Sequence, residues 1–236
     1  MIEIRRWLLC VACLFASASA LAAAPVISPA TTPGQAGLVD ITTLAPDIEL
    51  DIRYVGSNNF VGKPVRGYNA PKCFLLAPVA DALAKVEADL RQQGHGLRIY
   101  DCYRPARAVR HFVEWSEDLQ DQQTKARHYP NLDKRELMGE YISATSGHSR
   151  GATLDLTLLQ CTQGACEPLD MGTDFDLFDA SANTDSPLVT EAQHANRQRL
   201  LQAMARHGFR NYPMEWWHYT FQPEPDAQTA YDVPVE

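Results

Sequence analysis

Residues 151–158, GATLDLTL, set one acidic side chain inside an otherwise apolar and β-branched run. The run reads as a strand over about residues 152–159, because leucine and threonine suit a pleated, buried surface. An ionised carboxylate is rarely buried alone, since taking it out of water costs several kcal/mol unless it is paired. A fold built on this strand must therefore bring partners to Asp155 from elsewhere in the chain. One stands close by: His148 lies in the Ser/Gly-rich turn TSGHSRG just before the run.

Around that strand the chain mixes helices and strands without a regular βαβ rhythm. In LAPVADALAKVEADLRQQG the residues Leu76, Val79, Ala80, Leu83, Val86 and Leu90 form one helical stripe, and Gly94 is the stop. A short strand follows at 97–101, LRIYD. Pro105 then suits the first turn of a helix whose apolar face is Ala108, Phe112 and Trp115. Residues 116–140 are polar and turn-rich, a last helix spans about 190–207, and YPMEWWHYTF beyond it is aromatic and strand-like. The pattern predicts an α+β single domain, with a mainly antiparallel sheet and flanking helices.

The first 23 residues differ in kind. Arg5 and Arg6 precede an apolar run from Trp7 to about Phe15, and small residues follow, the form of a secretory signal cleaved between about Ala20 and Ala24. A lipoprotein signal acting through Cys13 is the alternative. Residues 24–37, rich in Pro, Ala and Thr, read as a flexible leader, and residues 38–236 as the folded domain. No later apolar run approaches the roughly 20 residues of a membrane span, so the expected mature protein is exported, to the periplasm or beyond. Without Arg5, Arg6 and Glu3 the formal charge moves from −8 to −9, which argues against nucleic acid as a partner.

Four cysteines remain after the signal: Cys73, Cys102, Cys161 and Cys166. In an oxidising compartment an even count reads as two disulfides. Cys161 and Cys166 are close enough to clip a hairpin tip, which leaves Cys73 for Cys102. A four-cysteine structural zinc site is the competing reading, but the spacing does not suit it.

Near the C-terminus, EWWHYTF supplies Glu215 and His218. His148, Asp155 and His218 then make two nitrogen ligands and one oxygen ligand, a set that suits catalytic zinc with its fourth position left for water. Glu215 supplies the carboxylate that hydrolysis needs as a general base. The same ligand set also suits non-haem iron, and each histidine taken alone reads equally as a surface or core residue. In a regular strand, residues three apart face opposite ways, so Glu215 and His218 can share a site only through a bulge or bend near Trp216.

Five segments, DIRYVGSNNFVGKPVRGY, DCYRPARAV, TSGHSRGATLDLTL, PLDMGTDFD and EWWHYTF, carry a close resemblance to the D-alanyl-D-alanine dipeptidases, the family of the vancomycin-resistance dipeptidase. The likeness runs in order from about residue 38 to 234. It implies a hedgehog/D,D-peptidase-like fold, one Zn2+ per chain and a small D,D-dipeptide substrate. It also implies His148, Asp155 and His218 as zinc ligands, Glu215 as general base, and Arg104 as the cation that supports the polarised carbonyl oxygen. Asp176 matches the residue that receives the substrate ammonium, Ser146 resembles one near its carboxylate, and Tyr54 and Tyr68 are cavity residues. Gly147 departs from the family pattern, and so does the cysteine-bearing stretch 161–166, which is expected to bear on the cavity mouth. A D,D-carboxypeptidase acting on longer stem peptides and a non-catalytic zinc module that binds peptidoglycan are the alternatives.

Overall fold

A computed structural model describes residues 25–236. The expected signal segment, 1–23, lies outside the described residues. The strands and helices run β1 (Val26–Ile27), β2 (Leu38–Asp40), β3 (Glu49–Leu50), β4 (Phe74–Leu76), α1 (Ala77–Arg91), β5 (His95–Asp101), α2 (Ala106–Glu117), α3 (Lys125–His128), β6 (Thr153–Thr162), β7 (Ala165–Pro168), α4 (Glu191–Ala205), β8 (Phe209–Asn211), β9 (His218–Phe221) and β10 (Thr229–Ala230). The principal sheet has the order β3-β5-β6-β9-β8, with β7 also paired to β6. Only β3 and β5 are parallel in it, so the α+β, mainly antiparallel architecture is the observed one.

The centre is β6, whose residues Thr153 to Leu159 are all buried. Leu154, Leu156 and Leu158 alternate with Thr153, Asp155 and Thr157, so the two sets face opposite sides of the sheet. Helices α1 and α4 pack on each other, and α1 packs on β5 and α4 on β6. The stripe on α1 is buried as its spacing predicts, with Val79, Ala80, Leu83 and Val86 fully enclosed. Each of the valine and leucine side chains contributes about 1.5–3 kcal/mol of burial. Pro78 sits in the first turn of α1, and Gly94 takes the left-handed conformation that lets the chain reverse into β5. At α4, Thr190 and Gln193 form a reciprocal capping box.

Three expectations are adjusted. The leader is not free to residue 37: β1 pairs in parallel with β10, and Ala36 is buried in the core. A Pro/Ala/Thr-rich stretch lacks periodicity, and pairing to a strand two hundred residues later leaves no local signal. Pro105 stands at the N-cap of α2 and not inside its first turn. Both disulfides form as paired from the sequence, Cys73–Cys102 and Cys161–Cys166. The second closes the β6–β7 hairpin at the far end of β6, about 20 Å along the strand from Asp155, and residues 161–166 do not line the main cavity. No helix among the described residues is long and apolar enough to cross a membrane.

Candidate metal centre and active site

Strand register assembles the site. Asp155 of β6 pairs with Asp101 on β5 and with His218 on β9, so three residues distant in sequence stand at one level of the sheet. The level on β5 depends on a bulge. Ile99 opposes Leu156 but Asp101 opposes Asp155, and the extra residue, Tyr100, shifts the end of the strand by one. His148 arrives from outside the sheet, in the single turn Gly147–Arg150 that precedes β6.

The segment before β9 is a turn rather than a continuation of the strand. Tyr212 O accepts from Glu215 N at 3.0 Å, and Glu215 O accepts from His218 N at 3.2 Å. The i,i+3 spacing across such a turn brings Glu215 and His218 to the same side, 3.5 Å apart at Oε2 and Nδ1. This is the bend that the sequence required near Trp216. Trp216 itself is buried, with its indole N–H donating to Thr173 at 2.8 Å.

His148, Asp155 and His218 can each place one ligand atom within 4.8 Å of the others. His148 Nε2 lies 3.3 Å from His218 Nδ1 and 3.4 Å from Asp155 Oδ2, and His218 Nδ1 lies 3.0 Å from Asp155 Oδ1. Ligands at 2.0–2.1 Å from a tetrahedral ion stand about 3.3 Å from one another, so the spacing fits. His148 is held for this role, since its Nδ1–H donates to the carbonyl of Cys102 at 2.8 Å and leaves the Nε2 lone pair facing the group. Asp155 Oδ1 is buried and accepts no hydrogen bond despite its closeness to His218. A buried carboxylate with an unpartnered oxygen, one oxygen beside each imidazole nitrogen, is a site that a cation satisfies.

The electrostatics follow from this crowding. Burial lowers the His148 pKa and favours its neutral form. Burial opposes the charge on Asp155, but the two histidines outweigh it and hold its pKa below the usual range. Burial works against His218⁺ as well, yet Asp155 and Glu215 raise its pKa. Burial pushes Glu215 up to about 7, helped by Asp155 and opposed by His218 and Arg104. A carboxyl with that affinity can both take and return a proton near neutrality.

Arg104, at the entrance to α2, completes the group. Its guanidinium gives Nε and Nη2 to Asp101 Oδ2 at 2.9 and 2.8 Å and lies 3.5 Å from Asp155 Oδ2. It also packs over the rings of Phe112 and Tyr54, 4.9 and 5.2 Å from their centroids. Asp101 takes a further hydrogen bond of 2.6 Å from the Tyr68 hydroxyl. Asp101 was not singled out by sequence reasoning, although it too is a buried acid on a strand, at the end of β5 where Asp155 stands inside β6.

These residues open into a cavity of about 360 Å³. Tyr54, Arg104, Ser146, His148, Asp155, Asp176, Glu215 and His218 all line it, whereas Tyr68, also expected there, is buried behind the wall with its hydroxyl on Asp101. Asp176 is buried, and its two carboxyl oxygens accept from the Tyr54 hydroxyl at 3.1 and 3.0 Å. Burial, reinforced by Asp155, raises its pKa well above the usual value. Ser146 is half-buried, and its Oγ accepts from His148 N at 3.3 Å. Its hydroxyl therefore also caps the turn that carries His148.

The model of the peptidase M15 family, described as "D-ala-D-ala dipeptidase", matches residues 34–236. A D-alanyl-D-alanine dipeptidase of Streptomyces coelicolor is 42% identical over 83% of this chain and 96% of its own length. One of Enterococcus faecium is 34% identical over 85% and 98%, and one of Escherichia coli 31% identical over 77% and 83%. Matched by the family model over residues 34–236 and by relatives 31–42% identical along most of their length, the chain belongs to the D-ala-D-ala dipeptidase family of peptidases, M15.

Proposed function

We propose that this protein is a zinc-dependent dipeptidase that hydrolyses D-Ala-D-Ala to two D-alanines. The observation that carries the reading is Glu215: a carboxyl with a pKa of about 7 stands 3.5 Å from a proposed metal ligand, in a cavity whose wall also holds a buried acid, Asp176. A module that only bound its ligand would need no such base.

His148, Asp155 and His218 would hold the zinc, which when bound supplies a Lewis acid and brings the pKa of its water towards about 7. Glu215 takes a proton from the attacking water and passes it to the leaving amine. The Arg104 guanidinium, kept charged and oriented by Asp101, faces the oxygen on which negative charge grows. Asp176 receives the free ammonium of the dipeptide, and Ser146 lies near its carboxylate. Recognition of both termini confines the enzyme to dipeptides.

The decisive assay compares D-Ala-D-Ala with an N-acetylated peptide ending in the same two residues, using zinc-loaded protein. We expect turnover of the free dipeptide and at least a hundred-fold lower kcat/KM, on the order of the loss of a buried ion pair, for the blocked one. Equal turnover of the two would make the enzyme a D,D-carboxypeptidase, and no turnover of either would leave a binding module.

The reading also fixes a pH dependence. A general base must be ionised, so activity falls as pH falls through the pKa of Glu215. A bound cation favours the ionised form, which sets the acidic limb of kcat/KM between the ordinary 4.5 and about 7. A rate that rises on acidification through that window would remove Glu215 from the role.

The same proposal extends to location. The charged and apolar N-terminal segment supports an exported, periplasmic enzyme acting in cell-wall peptide turnover, and the two disulfides support it too. Fractionation that found the processed protein in the cytosol would reverse this.

A further inference from the structure

We propose that His128, which lies outside the cavity, is a positioning residue that holds Asp176 in the conformation needed to receive the substrate ammonium. The inference rests on the reading of Asp176 given above. Asp176 has φ of +59°, in the left-handed region that non-glycine residues seldom adopt, although Asn and Asp enter it more readily than others. Such a conformation persists when its surroundings over-determine it. Here one buried residue contributes two hydrogen bonds, both on the C-terminal side of Asp176. The imidazole of His128 donates from Nδ1 to the Asp176 carbonyl at 2.9 Å, and the His128 carbonyl accepts from Phe178 N at 2.7 Å. The backbone from Asp176 to Phe178 is thereby tied to the end of α3.

A carbonyl oxygen only accepts, so the proton of the neutral imidazole is on Nδ1. Burial lowers the His128 pKa and keeps the ring in that neutral form. The ring is 3% exposed and is absent from the cavity wall, so it meets the substrate only through Asp176. Two outer contacts between the same segments flank it: Arg127 with Asp174 at 2.7 Å and Asn131 with Asp179 at 2.7 Å. The Arg127–Asp174 pair is half exposed on both sides and contributes little. Tyr54 fixes the carboxyl end of Asp176, and His128 fixes its backbone.

The test is a set of four variants assayed on D-Ala-D-Ala and on its N-acetylated form, with zinc content measured in parallel. His128→Phe fills the space without a donor, and His128→Gln carries its amide one bond too far. His128→Asn keeps an N–H at the place of Nδ1. We expect His128→Phe and His128→Gln to raise KM for the free dipeptide about ten-fold, the effect of one lost buried hydrogen bond. Their kcat and zinc content should stay within about two-fold of wild type, and His128→Asn should restore KM. Activity on the blocked substrate should not change, because it lacks the ammonium. If His128→Phe does not fold, the Asn and Gln variants decide, and equal KM values for the two overturn the proposal. A parallel loss of kcat, zinc and KM in the Gln variant overturns it as well. Asp176→Asn separates the two readings. An unchanged KM in that variant refutes ammonium recognition by Asp176 itself, whereas a raised KM there with unchanged His128 variants refutes the positioning role alone.

Discussion

Glu215→Gln is expected to lower kcat by about 10²–10⁴-fold, the range for loss of a general base, while the protein keeps its full zinc content. The amide preserves shape and leaves the His148, Asp155 and His218 atoms where they are, but it cannot accept a proton. Because Glu215 is only 12% exposed at its side chain, replacing a carboxyl that burial already disfavours should also leave the melting temperature unchanged or higher. Metal analysis beside steady-state kinetics checks both statements. A variant that lost zinc along with rate would make Glu215 a ligand, and one that kept its rate would end its role as base.

His218→Ala should abolish both metal and activity. Its Nδ1 is the nitrogen that meets Asp155 Oδ1 at 3.0 Å and His148 Nε2 at 3.3 Å. Removing one of three ligands leaves two, too few for a catalytic zinc site. The apo protein has an additional response to pH. His218 has a raised pKa in the folded chain, so its protonated form contributes stability that is complete below the unfolded value of about 6.5 and is lost as pH rises through the folded value. The alanine variant should therefore lack that loss of stability above neutrality. Equilibrium dialysis against zinc, with thermal melts at pH 6 and pH 8 in chelator, reads the two effects separately. Tight zinc binding by the variant would require a different ligand set.

The candidate metal group and Glu215 were legible in the sequence as local chemistry, whereas Arg104, Asp176 and Ser146 were pointed to by the family resemblance alone. A carboxylate in an apolar strand demands partners, and histidine-bearing turns on either side of the chain supply them. The helices at 77–91 and 191–205 and the cysteine hairpin followed from periodicity and spacing. What the sequence hid was non-local. The bulge at Tyr100 decides that Asp101 opposes Asp155, yet nothing in LRIYD marks it, since a bulge arises from pairing between strands. The pairing of β1 with β10 joins residues about two hundred positions apart, beyond any window of periodicity. The tie from His128 to Asp176 links a polar, turn-rich stretch to a loop, and its signal is a burial that composition does not show. In the opposite direction, the strand-like pattern of YPMEWWHYTF overcalled β9 at its start, because aromatics that fill a turn look the same as aromatics that line a sheet.

The disulfide-closed hairpin has a practical meaning. Its tip, Gln163 and Gly164, projects from the end of β6 that is remote from the cavity, and both residues take the left-handed turn conformation without touching the functional groups. A reporter peptide or surface anchor grafted there would leave catalysis intact, which makes this tip the natural handle for immobilising the enzyme.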